Sequence, residues 1–483
     1  MKKSAIVTIF ASLILMACNK DFLNVNNTPN NPLQVPPSVI LPNTTIGMAF
    51  ANANDLNRAT SVLVQHIAGV ANQSASYDVY ALDGSFDNQW NSEIYGNTLN
   101  NLQILIDQYG STSPAYAGFA KLEMAYVFSM AADVWGDIPY SQAAKGLKFE
   151  TPRFDKVEDI YQGNTALDIA SLFDLVKDGM ADLDKPSLLR PSADDKVYGG
   201  DISKWKRFGN SLLLKFAIQI SNKNPTLAKS TIQNVLTGNN FINSSALDFE
   251  VPFGSAVGNR NPIFDFNNNL RTGDQMLSSR LLTLTRILND TVRLSKFFTK
   301  PTGNFIAFNN GSTSPAPALA TRSKYNTYLT GAVGGEAPIR LLTFFQVNFI
   351  LAEAILNLGI TGDANTYYQA GITASMQKVG MTPVEITSYF TTNPSVVTLT
   401  GTNAEKLNQI ITQKYISWIG NGIEAYNDYR RTGYPFLVFP LNAVGDNPNV
   451  VPTRLPYTPA ELARNPNAPK PRPKTDVKLW WAL

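Results

Sequence analysis

Apolar residues recur at helical spacing through most of this chain, and that period constrains its fold more than any other feature. Between Asp201 and Ser221, the residues Trp205, Leu212, Phe216 and Ile220 fall on one stripe, with Lys204, Arg207 and Lys215 available to other faces. Phe344, Val347, Leu351, Ala354 and Leu358 repeat the pattern; Gly359 to Asp363 turns the chain, and Tyr367, Ala370, Ala374 and Met376 mark a second helix. The same period predicts helices at about Pro37–Ala71, Asp87–Tyr109, Pro114–Val134, Asp155–Leu183, Thr226–Leu236 and Thr402–Ile419. Strands are expected to be few and short.

No repeat of constant length is visible, which points to degenerate helical pairs rather than a regular solenoid. The pair at 343–378 resembles a tetratricopeptide-like hairpin, so the expected fold is mainly α, built from tetratricopeptide-like helical pairs with long irregular loops. Between Asn239 and Ala337 the period is lost, except near Met276–Leu288, to Gly, Asn, Pro, Ser and aromatic residues. Irregular stretches of that length are usually functional or disordered, and the aromatic content favours order. The reading is one helical binding domain over 38–483, with a loop-rich insertion at about 239–340.

The N-terminus reads as an address. Lys2 and Lys3 precede an apolar run from Ala5 to Met16, too short to span a bilayer comfortably, and residues 1–17 are read as a signal peptide. Leu15-Met16-Ala17-Cys18 resembles the lipobox of bacterial lipoproteins and implies a lipidated Cys18 as the first mature residue. Several acyl chains together provide the stable anchoring that one does not. Asn19-Lys20-Asp21 resembles the surface-export signal of Bacteroidota-like lipoproteins. Asn24 to Pro37 lacks either regular period and is held extended by its prolines, so residues 18–37 read as a lipidated extended tether.

Cysteine and histidine each occur once, which excludes zinc sites built from several such ligands. His66 lies in the apolar run Val62–Ala68 and is read as a core or boundary histidine. Asp83, Asp87 and Asn88 lack the dense alternation of an EF-hand, so no metal is assigned, nor any cofactor. Charged residues make up 16% of the chain and the formal charge is +3, with no basic stripe interleaved with aromatics; phosphate neutralisation is therefore no basis for affinity and nucleic acid is not an expected ligand.

Several segments, in order behind the lipobox, resemble the SusD/RagB family. They are Asp21-Phe22-Leu23-Asn24-Val25-Asn26, Ala125-Tyr126-Val127 leading to Trp135-Gly136-Asp137-Ile138-Pro139-Tyr140, and Trp205-Lys206-Arg207-Phe208-Gly209-Asn210-Ser211-Leu212. Leu351-Ala352-Glu353-Ala354, Gln413-Lys414-Tyr415, Glu424 through Gly433, and Arg454-Leu455-Pro456-Tyr457 through Glu461 and Asn465 continue the series. The resemblance implies a helical scaffold on the bacterial outer membrane, a glycan ligand, and a SusC-like TonB-dependent outer-membrane transporter as partner. It implies binding without catalysis, and no catalytic residue is assigned. Arg430 and Arg431 are expected to tie the C-terminal segment to the body rather than hold substrate.

A glycan binder needs apolar platforms for sugar faces and amides or carboxylates for hydroxyls, and loops on a rigid scaffold concentrate such groups. Gln73 to Tyr95 offers Tyr77, Tyr80, Asn88 and Trp90; Asn304 to Tyr328 offers Tyr325 and Tyr328; Asn259 to Arg271 adds Arg260, Phe266 and consecutive asparagines. The six residues Tyr77, Tyr80, Asn88, Trp90, Tyr325 and Tyr328 are the expected ligand contacts, with Trp90 the largest platform. Packing beneath the following helix is the competing role for Trp90. A surface glycoside hydrolase, which needs only two placed carboxylates, and a helical scaffold that recruits proteins alone are the competing functions. Ligand identity is not legible in the sequence.

Acylation at Cys18 is directly testable: a Cys18→Ala variant should incorporate no palmitate analogue on metabolic labelling, and undiminished incorporation would refute the anchor.

Overall fold

A computed structural model describes residues 34–483; the signal segment, Cys18 and most of the tether lie outside the described residues. Pro37 opens the first helix, Pro37–Ala53, at N1, where a missing N–H costs nothing. This helix is buried along most of its length. The chain breaks at Asn54, resumes as Asp55–Leu63, and then leaves helical geometry altogether, since Ile67–Gly69 pairs antiparallel with Gln275–Leu277. The expected single helix over Pro37–Ala71 is thus two helices and a strand. A run apolar on every side fits a buried strand as well as a buried helix, and only the partner strand at 275–277 decides between them.

The segment Asp155–Leu183 also divides, into helices Val157–Gln162 and Leu172–Leu183. Gly163 at φ 80° and Asp168 at φ 54° turn the chain, and Ser171 caps the second helix by accepting from the Asp174 N–H at 3.0 Å. The expected helix at Asp87–Tyr109 is a widened π-helix over Gln89–Leu99 that continues as an α-helix over Asn100–Tyr109. Helices Pro114–Trp135, Ile202–Gln219, Pro225–Gly238, Phe344–Leu358, Ala364–Lys378 and Asn403–Ser417 form where the period places them.

These helices pack as antiparallel pairs, and the fold is mainly α with only short strands in three two-stranded sheets among the described residues. Pro114–Trp135 lies so close to Leu172–Leu183 that a Cβ on Gly118 would fall 2.7 Å from the Gly179 carbonyl oxygen. Glycines at both contact points let the backbones approach. Phe344–Leu358 and Ala364–Lys378 form the expected hairpin, with Gly359 left-handed (φ 62°) at the helix C-cap. One contiguous apolar core runs from Ile40 to Ala482. Glu123 is buried within it and accepts from the Thr45 hydroxyl; burial pushes its carboxyl up to about 8, so it is protonated at neutral pH.

A helix at Gly422–Thr432 supplies the charged centre of this core. Arg431, 1% exposed, forks onto both carboxylate oxygens of Glu353, with Nη2 to Oε2 at 2.8 Å, and reaches Asp428 at 2.9 Å. Lys414 donates to the same Oδ1 of Asp428 at 3.0 Å. Arg430 donates to the carbonyls of Asp133 at 2.6 Å and Thr453 at 3.0 Å, and lies between the rings of Tyr426 and Trp481. The two arginines thus serve the roles expected of them. His66 is fully buried against the Tyr415 ring, and burial lowers its pKa to about 3, as befits a neutral core histidine.

Removing one partner from a buried ion pair leaves an uncompensated charge, at a cost of about 3–5 kcal/mol. Arg431→Ala should lose stability of that order in denaturant melts. Arg431→Lys should recover only part of it, because an ammonium cannot span both oxygens of Glu353; full recovery by lysine would contradict the bidentate role.

Candidate functional site

Most of the aromatic residues expected to face a ligand are packed inward. Trp90, 2% exposed, stands edge-on to Trp135 and Tyr457 with centroids at 5.0 and 6.1 Å, and its indole N–H donates to Glu461 at 3.3 Å. It is a core residue joining the Tyr77–Trp90 loop to the C-terminal segment, and it offers no platform. Tyr77 is buried, stacked on Phe86 at 5.6 Å, with its hydroxyl donating to Asp55 at 2.9 Å. Tyr325 is buried against Phe298, and the half-buried Tyr328 is covered by the Arg340 guanidinium at 3.7 Å. The expectations for Tyr77, Trp90 and Tyr325 are therefore corrected, while Tyr328 stays half-buried at a small pocket. A loop rich in aromatics holds its shape by burying them, so the feature that suggested contact with a ligand contributes to order.

Tyr80 and Asn88 have different surroundings. Tyr80 is 3% exposed, at φ 66°, with a hydroxyl that has no partner. It borders an open cleft of about 470 Å³ together with Ser76, Asp83, Val444 and Asp446. Asp83 and Asp446 both pair with Arg472, at 2.8 and 3.1 Å. Against the opposing effect of desolvation, hydrogen bonds from Arg472 and Thr475 hold Asp446 below the usual carboxylate range.

Asn88 is exposed and belongs to a polar cluster drawn from three separate segments. It donates to Glu93 at 3.1 Å, and Asn54 donates to the same carboxylate oxygen at 2.7 Å. Arg58 donates to the Asn54 carbonyl, pairs with Asp55 at 2.9 Å, and lays its guanidinium over the ring of Phe266 at 4.2 Å. Burial raises the pKa of Glu93, opposed by the Asn54 hydrogen bond and the Arg58 charge. Arg58 Nε and Glu93 Oε2 have no partner, and both atoms are buried beneath the face. Exposed Asn268, Asn269, Leu270 and Arg271 extend this face, and Arg322 ties the 304–328 segment to it by donating to the Gly273 carbonyl at 2.6 Å.

Structure therefore joins parts of the three candidate segments, and of the residues singled out in sequence Asn88 and Phe266 lie on this face. Asn54, Arg58 and Glu93 were not among the expected contacts. The i,i+4 spacing of Asn54 and Arg58 and the polar break Asn91-Ser92-Glu93 inside a helical period are the local signals that mark them. The widened turn at Gln89–Leu99 carries Glu93, and π-helical turns recur at functional sites. An enclosed space of about 10 Å³ lies beneath this face, among Asn57, Arg58, Phe266 and Gln275. The face itself offers neutral amides, one guanidinium and one carboxylate beside an aromatic ring.

A family model described as starch-binding associating with outer membrane matches residues 29–458. No curated protein matches the chain. Among solved structures, a chitin-binding protein superposes with a TM-score of 0.77 at 24% identity, covering 92% of this chain and 100% of its own. A chitin-binding SusD homolog from Flavobacterium johnsoniae has a TM-score of 0.74 at 21% identity, covering 92% and 98%. A SusD/RagB family protein from Bacteroides thetaiotaomicron has a TM-score of 0.74 at 24% identity, covering 93% and 99%. The fold is shared across whole chains, and with a family model matched over most of its length this chain belongs to the SusD-like family of the SusD/RagB proteins.

Proposed function

We propose that this protein is a cell-surface lipoprotein, anchored through Cys18, that binds a glycan on the face formed by Asn54, Arg58, Asn88, Glu93 and Phe266. From there it delivers the ligand to a SusC-like TonB-dependent outer-membrane transporter. The observation that carries the binding reading is the convergence of amides, a guanidinium and an aromatic ring on a shallow face. Amides replace water at sugar hydroxyls, and the guanidinium donates without a matching anion being required. Membership of a family described as starch-binding and associated with the outer membrane supports both the ligand class and the location. Two similar structures are of chitin-binding proteins, so chito-oligosaccharides belong beside malto-oligosaccharides among the first ligands tested.

Turnover is no part of this reading. Asp83 and Asp446, a carboxylate pair at an open cleft, share Arg472 as counter-ion. Asp446, held below the usual range, is not the raised-pKa acid that glycoside hydrolysis requires. Incubated oligosaccharides are expected to stay intact.

Calorimetry on the purified protein tests the site. Truncating a residue central to binding typically costs about 2 kcal/mol or more, so Arg58→Ala and Phe266→Ala should each weaken glycan binding by roughly thirtyfold. Trp90→Ala should instead lower stability by about 3–5 kcal/mol, with affinity kept in the folded fraction. Unchanged affinity in folded Arg58→Ala and Phe266→Ala proteins would remove the ligand from this face.

Partnership with the barrel is tested by purification of the native lipoprotein in mild detergent. A TonB-dependent transporter should co-purify in near-equal amount, consistent with an obligate interface above roughly 2,000 Å². Repeated recovery of the lipoprotein alone would refute the partnership.

A further inference from the structure

A second concave site lies where the loop after Gly433 crosses two helices. Its walls are the helix Ser279–Ile287, through Arg280, Thr283, Leu284 and Ile287, and the helix Asn403–Ser417, through Asn408, Thr412 and Tyr415. Pro435, Phe436 and Leu437 close one side, and the cavity holds about 220 Å³. Gln65 lines it from the turn that ends the second helix, held at φ 62°. Its amide nitrogen donates to the Val438 carbonyl and pins the loop in place. Tyr415 is fixed in turn, its hydroxyl donating to the Val64 carbonyl at 2.8 Å and its ring against His66 at 4.2 Å.

Three features of this cavity are unexplained by packing. Gln65 is only 2% exposed, yet its side-chain oxygen has no hydrogen-bond partner. Arg280 is exposed; its backbone N–H meets the Ser278 hydroxyl at 3.1 Å, but its guanidinium makes no ion pair or hydrogen bond among the described residues. Phe436 and Ile287 are 73% and 71% exposed beside it. Arg271, Arg286 and Arg464, also exposed, have no such partners either; what sets Arg280 apart is its place in the cavity wall.

We infer that this cavity is a second ligand site, separate from the Arg58 face, that takes a single acidic sugar, a hexuronate, with its carboxylate on Arg280. A guanidinium matches a planar carboxylate with two parallel hydrogen bonds. One such cation balances a monoanion, whereas a phosphate dianion would retain uncompensated charge against apolar walls. Phe436, Leu437 and Ile287 supply surface for the CH face of a ring. Asn408 and Thr412 supply neutral partners for hydroxyls, which an aryl carboxylate would leave unused. The volume lies below the 300–1,000 Å³ or so of typical ligand pockets, so one ring fits and a chain does not.

Saturation-transfer NMR and calorimetry with sodium galacturonate, and with galactose as the neutral counterpart, test this assignment. Galacturonate should bind saturably and at least about tenfold more tightly than galactose, the size of one charge-assisted hydrogen bond. Arg280→Ala and Phe436→Ala should each lose about tenfold, with melts like those of the parent protein because both side chains are exposed. Arg58→Ala should leave galacturonate binding unchanged. Absence of galacturonate binding, an equal response to galactose, wild-type affinity in Arg280→Ala, or loss of binding in Arg58→Ala would each overturn the assignment.

Discussion

The structure depends on a balanced set of buried charges where four helices meet. Arg431 spans Glu353 and Asp428, Lys414 shares the Asp428 carboxylate with it, and Lys215 pairs with Glu424 at 2.6 Å, where Gln346 also donates at 2.6 Å. Burial alone would raise the pKa of Asp428, but Lys414 and Arg431 bring it below the usual range. The pairs act less as a source of net stability than as a constraint on alignment. An apolar core of the same volume is often as stable, but leucines tolerate a helix sliding by part of a turn and a forked guanidinium does not. The helices at 202–219, 344–358, 403–417 and 422–432 are thereby held in one relative position.

That fixed centre gives the long loops something rigid to close upon. Arg430 and Trp481 hold the C-terminal end to the 422–432 helix. Trp135 donates to the Pro456 carbonyl at 3.0 Å, and Trp90 packs between Trp135 and Tyr457. The loop before the π-helix is thus anchored from behind by its own aromatics, and its outward side is left to Asn88 and Glu93. Helix Asp55–Leu63 brings Arg58 beneath them, and the Asn259–Arg271 segment adds Phe266 from the other side. Amide-rich faces of this kind suit ligands that are polar without charge, and the low charged fraction of the chain extends the same character over its surface.

Much of the fold was legible in the sequence because helical period is a local property. The stripe of Trp205, Leu212, Phe216 and Ile220 specifies a helix without reference to anything distant, and Gly359 marks the hairpin turn by the conformation it alone adopts easily. The errors lie where a local pattern has two solutions. Val62–Ala68 is mostly apolar, broken only by Gln65 and His66, and the strand at its end exists because residues 275–277 are placed beside it. Trp90 in a polar loop has the same local sequence whether it faces a sugar or Trp135.

The sequence by itself determined the helical class and carried the motifs of the family, and it singled out the segments around Asn88 and Phe266 that meet on the proposed face. Tertiary structure alone decided which residues of those segments face outward. Asn54, Arg58, Asn88, Glu93 and Phe266 come from three parts of the chain, and no local period encodes their meeting. Side-chain direction at an irregular loop depends on what occupies the space behind it. Here that space is filled by Trp135 and Tyr457, one of them more than 300 residues away in the chain, and their burial turns Trp90 inward and leaves the amides at the surface.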